Sequence, residues 1–265
     1  MPTAELGDIR VQYRVAGSGP AVVFVHGLAE DHRSWRALQD EFTGFTTYAV
    51  DLRGHGGTTA GRPDGSLAQL RDDLLAFLAE VAGPAACVGF SLGGTIVLAA
   101  AAQRPDLVRG VVPIGTSSVV GRAAVDFFEE RAQQVHEGET ESAAETLRAD
   151  TAGMVTAPGV DVEALVAYRL ECIGDGTGYA NAAMAMAGLR EEPLSPLLPK
   201  VISPAVVVGG SKDAFCPRKA AEILLDGLPE ASYREVPGAG HLMRADAPDA
   251  FGEAVREALT DVGVR

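Results

Sequence analysis

The sequence predicts an α/β protein with a mostly parallel central sheet flanked by helices. Three observations predict it. Continuous apolar runs rich in β-branched residues recur along the chain, at "AVVFVHG", "TTYAVD", "AACVGF", "GVVPIG" and "AVVVGG", and runs of that kind suit strands covered on both faces. Segments with apolar residues at helical spacing separate them, and such alternation implies right-handed crossovers in a parallel sheet. Finally, 265 residues with 47% hydrophobic and 22% charged side chains supply a sizeable core for one main domain.

Taken in order, residues 9–15, "IRVQYRV", alternate apolar and polar as a half-exposed strand does, and the turn "AGSGP" follows; an antiparallel edge is expected to open the fold. The buried runs "AVVFVHG" and "TTYAVD" come next. Ser66 caps a helical pattern reaching Val81, and a second helix is expected over Thr95 to Arg104, after "AACVGF". The alternation fails from about Val119 to Leu189, a Glu-dense stretch that reads as several helices without a convincing strand. It is expected to lie as a helical insertion (residues 119–189) over the sheet's C-terminal edge, between core segments 1–118 and 190–265. Alternation resumes at "PKVISPAVVVGG" and ends with the strand "SYREV" and a helix begun by "DAPDAF".

The chemistry-bearing motif is Gly89-Phe90-Ser91-Leu92-Gly93, a G-x-S-x-G between an expected strand and an expected helix. So tight a strand-to-helix turn leaves no room for side chains two before and two after its centre, which explains the glycines. Ser91 is thereby pushed outward, and the Leu92 amide, at a helix N-terminus, can face a developing oxyanion. Of the five histidines, His32 and His136 stand in polar surroundings and read as solvated. His55, in "DLRGHGG", reads as a loop-holding residue. His26 reads as positioning the loop whose Leu28 amide can supply a second oxyanion donor. His241, on the Gly-rich loop "VPGAGHLMRADAPDAF", is left as the base. A carboxylate just beyond a later strand should orient it. Asp213, in "VVVGGSKDAFCP", meets that condition; Asp126, inside an expected helix, is a distant second choice.

These residues, with "HGLAEDHRSW", "DLRGHGGT" and "GHLMRADAPDAF", resemble the α/β-hydrolase superfamily over almost the whole chain. The resemblance implies Ser91 as nucleophile, His241 as base, Asp213 as orienting acid, an oxyanion hole from the Leu28 and Leu92 amides, and a helical cap over residues 119–189. Serine at position 91 disfavours branches with an Asp or Cys nucleophile, haloalkane dehalogenases among them. A cap ending in "DGTGYANAAMAMAGL" is similar to that of 3-oxoadipate enol-lactonase-like hydrolases, which makes a carboxylic ester or lactone the first-choice substrate of a serine esterase or lactonase. The same likeness asks for a cation to meet a substrate carboxylate, with Arg131, Arg169 and Arg190 as candidates. Trp35, Phe127, Met154, Met184 and Met186 are the expected pocket residues. Carbon–carbon bond hydrolases, thioesterases and cofactor-free haloperoxidase-like esterases share this set, and a ligand receptor on the same fold is the rival from another class.

Other chemistries find little support. The chain has no HExxH, no clustered His and carboxylate set along the sequence and no phosphate-binding GxxxxGK[ST], so neither a metal nor a cofactor is expected. "GDGTG", from Gly174 to Gly178, reads as a loop, and Cys216 as a small apolar filler near Asp213. Three cysteines without CxxC spacing predict no disulfide framework and fit a reducing cytoplasm. A net charge of −14, from 22 basic and 36 acidic residues, argues against nucleic acid or anionic lipid as a partner. No export or membrane segment is expected, and the partner is a small-molecule substrate with an apolar acyl or lactone part.

Overall fold

The computed structural model describes residues 1–136 and 140–264, with the side chains of 136 and 140–142 outside the description. Eight strands form one sheet: β1 (Thr3–Leu6), β2 (Ile9–Ala16), β3 (Ala21–Val25), β4 (Thr46–Val50), β5 (Ala85–Phe90), β6 (Val108–Ile114), β7 (Ala205–Gly210) and β8 (Ala231–Val236). They lie in the order β1-β2-β4-β3-β5-β6-β7-β8. β1 and β2 form an antiparallel hairpin closed at Leu6 and Ile9, and β2 runs antiparallel to β4; β3 to β8 are parallel. β2 is therefore not the edge that its alternation predicts. The short, polar "TAEL" segment covers it, too brief and too exposed to show a periodicity.

The helices are α1 (Arg36–Glu41), α2 (Leu67–Phe77), α3 (Leu92–Gln103), α4 (Arg122–His136), α5 (Thr140–Met154), α6 (Val162–Ile173), α7 (Thr177–Ala187), α8 (Arg218–Gly227), α9 (Met243–Asp246) and α10 (Pro248–Asp261). Ser66 caps α2 by accepting the Gln69 amide at 3.1 Å, and a π-helical turn, Leu78–Ala82, carries the segment on to Gly83. α2, α3 and α8 bury Leu70, Leu74, Ile96, Leu98 and Leu224 in one core layer. On the other face of the sheet, α1 and α10 bury Leu38, Phe251, Val255 and Leu259 against Phe24 and Val112. α3 is apolar all round and buried from Leu92 to Ala101, as a helix enclosed between a sheet and other helices must be.

α4 to α7 follow one another between β6 and β7, and the chain crosses from there to β7 through a 3-10 turn at Ser195–Lys200. Of "GDGTG", residues 174–176 form the turn between α6 and α7, with Gly174 and Gly176 at positive φ, while Thr177 and Gly178 open α7. Among the described residues no helix is long and apolar enough to cross a membrane.

Candidate active site

β5 ends at Phe90 and α3 starts at Leu92, so the whole reversal falls on Ser91, at φ 50° and ψ −119°. That is a costly conformation for a residue with a side chain. It is held by the Ser91 amide, which donates to the Ile114 carbonyl at 2.8 Å, and by Thr116 Oγ1, which donates to the Ser91 carbonyl at 2.7 Å. A Cβ at Gly89 would stand 2.2 Å from the Gly93 carbonyl oxygen, a collision across the turn. Gly93 is required for a different reason from the one the motif implies. A Cβ there would stand 2.2 Å from the Val25 carbonyl oxygen, so the obstacle is the neighbouring strand β3.

The loop after β8 brings His241 to this turn. Its Nε2 lies 3.2 Å from Ser91 Oγ and its Nδ1 2.8 Å from Asp213 Oδ2. An ionised carboxylate only accepts, so Nδ1 carries the proton and Nε2 is left to accept from the hydroxyl. The second Asp213 oxygen, Oδ1, accepts the Phe215 and Cys216 amides at 2.9 and 2.8 Å, which holds the carboxylate. Phe90 and Phe215 flank the imidazole, with ring centroids 5.0 and 5.5 Å away. The loop is tied down by the Leu242 amide donating to the Met154 carbonyl at 3.0 Å and the Gly240 amide donating to Asp246 Oδ2 at 2.7 Å.

On the opposite side the chain leaves β3 through His26, Gly27 and Leu28. The His26 ring is fully buried, and its Nε2 accepts the Leu52 amide at 2.9 Å. Nδ1 therefore holds the hydrogen and donates to the Gly27 carbonyl at 2.8 Å. In a trans peptide the next N–H points the opposite way from that carbonyl, so His26 also sets the direction of the Leu28 amide. Glu30, wholly buried, accepts the Gly27 amide at 3.4 Å and pairs with Arg244. Arg244 and the neighbouring Arg169 draw its carboxyl below the usual range against the opposing cost of burial. Among the described residues, neither the Leu28 nor the Leu92 amide donates to an acceptor elsewhere in the protein.

Ser91, His241 and Leu28 open onto a cavity of about 690 Å³, walled by α4, the C-terminal end of α5, α6, α7 and α8. Phe127, Met154 and Met186 line it. Trp35 and Met184 do not. Trp35 is 2% exposed and stacked on Phe24 beneath the sheet, because the turn that carries it packs on the far face. Met184 points outward from α7 at 40% exposure, against Gly65. Of the three arginines, Arg131 makes a two-pronged pair with Asp150 at 2.8 and 3.0 Å, Arg190 is exposed, and Arg169 is buried and faces the cavity. Asp126 is exposed on α4, while Cys216 lines the cavity with its thiol pKa pushed up by burial.

Two further expectations change. His32 is not solvated: its Nδ1 sits 2.7 Å from Asp51 Oδ1, and that hydrogen bond raises its pKa. Asp31, His32 and Asp51 form a compact His and carboxylate group, absent as a motif because the chain brings Asp51 in from β4. Its donors are already engaged, His32 with Asp51 and Asp31 with Arg33. His55 does hold its loop, with Nδ1 3.1 Å from the Arg53 carbonyl, and the side chain of His136 lies outside the described residues. Sequence reasoning did not single out Glu30 or Phe215. Glu30 was recognisable only as an acid five residues beyond the end of a buried strand, β3.

Residues 20–248 match the family model described as alpha/beta hydrolase fold. The chain is 30% identical over 259 residues to the 2-(acetamidomethylene)succinate hydrolase of Mesorhizobium japonicum, covering 95% of this chain and 92% of that one. It is 32% identical over 251 residues to a pimeloyl-(acyl-carrier protein) methyl ester esterase of Chromobacterium violaceum, covering 92% and 95%. Among solved structures it is similar to the enol-lactonase of Burkholderia xenovorans, with a TM-score of 0.88 at 25% identity over 98% of this chain and 100% of that one. With a sheet of this order, a matching model over most of its length and hydrolases among its relatives, the chain belongs to the alpha/beta hydrolase fold family.

Proposed function

We propose that the protein is a serine hydrolase that cleaves a carboxylic ester or lactone through an acyl-enzyme on Ser91. The observation that carries this reading is the continuous hydrogen-bonded run from Asp213 through His241 to Ser91 at the floor of a cavity walled largely by apolar side chains, with Asp150, Arg169 and Lys219 also in its lining. His241 Nε2 takes the Ser91 proton as Oγ attacks the carbonyl carbon, and the Leu28 and Leu92 amides receive the oxyanion. The imidazolium, stabilised by Asp213, then returns the proton to the departing alkoxide. Water enters, loses a proton to the same Nε2, and releases the acid. Helices α4 to α7 act as a cap that supplies the acyl-binding wall. No step needs a cofactor.

The relative at 30% identity bears the name of an acetamido compound's hydrolase, which favours amide cleavage by the same residues as a second reading. A fluorophosphonate added to wild type and Ser91→Ala, with intact masses read alongside release from p-nitrophenyl esters and acetamides, separates these outcomes. We expect one label on the wild type, none on the variant, and a fall in ester turnover of about 10⁴-fold or more. Acetamide release without ester release would favour the second reading. An unlabelled, inactive wild type would remove the hydrolase mechanism.

A further inference from the structure

Among the described residues, Ala29 and Ser91 alone combine a side chain with a positive φ, at 59° and 50°. Such backbone costs energy and persists only where the surroundings impose it. Ser91 is held by Ile114 and Thr116, and the turn before Ala29 is held at Gly27. His26 Nδ1 donates to the Gly27 carbonyl, and the Gly27 amide donates to Glu30 Oε2. With the peptide groups on both sides of Gly27 fixed, the Leu28 N–H that follows has one direction left to it. Glu30, wholly buried, pairs in turn with Arg244 of α9, the helix that starts two residues after His241. Arg244 lies over the Phe90 ring, 5.4 Å from its centroid, and a Cβ on Gly27 would stand 2.9 Å from the same ring. His241 is 5.0 Å from it as well. Phe90, the neighbour of Ser91, is thus enclosed by both loops, and the Glu30–Arg244 pair joins them around it. Burying two charges seldom adds net stability over an apolar pair, and fixing position is the better-attested use.

We infer that Glu30 and Arg244 are a positioning pair for the reaction: they lock the loop that carries the Leu28 amide to the loop that carries His241, so that oxyanion donor and base keep one separation about Ser91. This rests on the hydrolase reading above. Neither side chain lines the cavity, so neither meets the substrate, and each acts through its own loop. The carboxylate works through the Gly27 peptide and the guanidinium through α9. The consequence belongs to the transition state. Charge on the carbonyl oxygen develops only as Ser91 attacks, so a donor displaced by a fraction of an ångström lowers kcat and leaves KM nearly as it was.

The test reads the oxyanion contact by comparing p-nitrophenyl butyrate with its thiono analogue, in which sulfur replaces the carbonyl oxygen. Sulfur is larger and a weaker acceptor, so a well-placed donor favours the oxygen ester, and the ratio of the two kcat/KM values measures that placement. The variants are Arg244→Lys and the double variant Glu30→Gln with Arg244→Met. The double variant removes both charges of the pair together and keeps an acceptor for the Gly27 amide, so what it loses is the tether between the loops. We expect it to lower kcat for the oxygen ester about 10- to 100-fold at nearly constant KM. The oxygen-to-sulfur ratio should fall about 3- to 10-fold, the worth of part of one charge-assisted hydrogen bond. Arg244→Lys, which keeps the charge, should retain most of both. A ratio equal to that of wild type would overturn the inference whatever the melting temperature does, because a purely structural role lowers turnover of the two esters alike. Should the wild type cleave neither ester and Ser91 take no fluorophosphonate, it is the hydrolase reading that fails. The tether is then decided by hydrogen exchange over residues 26–30, faster in the double variant if the pair holds that loop and unchanged if it does not.

Discussion

His32 and His55, both in the loops beside the proposed oxyanion strand, titrate in opposite directions. His55 is fully buried, its Nε2 has no partner, and burial lowers its pKa from 6.5 to about 4, with the His26 ring 5.3 Å away. As pH falls through the window from 6.5 to about 4, the unfolded chain takes up a proton that the folded one refuses. Stability is therefore lost on acidification there, by about 3 kcal/mol in full. His32 works the other way. Its folded pKa is raised by Asp51, so its contribution is complete below 6.5 and is lost as pH rises through the folded value. His55→Gln should flatten the dependence of the melting temperature on pH between about 4 and 6.5. An unaltered slope in that window would show that His55 is not the group responsible.

Between elements, the feature that positions the cavity is the docking of α6 on the loop after β3. Tyr168 Oη accepts the Asp31 amide at 3.2 Å and donates to Asp31 Oδ1 at 3.1 Å. Arg33 sits over the Tyr168 ring at 5.0 Å and bridges Asp31 to Glu171. Because Asp31 is buried, losing the phenol leaves its groups short of a partner, and Tyr168→Phe should cost about 1–3 kcal/mol. Chemical unfolding measures the cost, and hydrogen exchange over residues 27–33 should show faster opening. A variant as stable as wild type would place the anchorage of α6 elsewhere. The Arg148–Glu163 pair between α5 and α6 lies in solvent, where screening leaves an ion pair little net worth.

For the molecule as a whole, a net charge of −14 sets up a field that opposes the approach of an anionic ester and leaves a neutral one unaffected. That long-range repulsion slows the encounter of a charged substrate and is screened by salt. Raising the salt from about 10 to 150 mM shortens the Debye length from about 30 to 8 Å. It should increase kcat/KM for the monomethyl ester of a dicarboxylic acid, which keeps one negative charge, and leave the neutral dimethyl ester nearly unaffected; equal responses would refute this account of steering. Much of this acidity is exposed, as at Glu129 and Glu130 on α4 and Glu145 on α5.

Much of the fold was legible because its signals are local. Doubly buried strands read as unbroken apolar runs, the Ser66 cap announces α2, and a strand, two glycines and a helix around Ser91 are one contiguous motif. Asp213 and His241 were readable by their places after strands, though 28 residues separate them and 150 separate His241 from Ser91. What the sequence by itself determined was thus the sheet, the helices and the residue types presented at the sheet's edge. Only the tertiary structure decided which side chains share a space. Trp35 went beneath the sheet, Met184 outward, Asp51 to His32, Glu30 to Arg244, and Arg169, unlike Arg131 and Arg190, to the lining of the cavity. The reason is physical: periodicity says which face of an element is buried, whereas pairing and desolvation depend on neighbours from distant segments that no local pattern encodes.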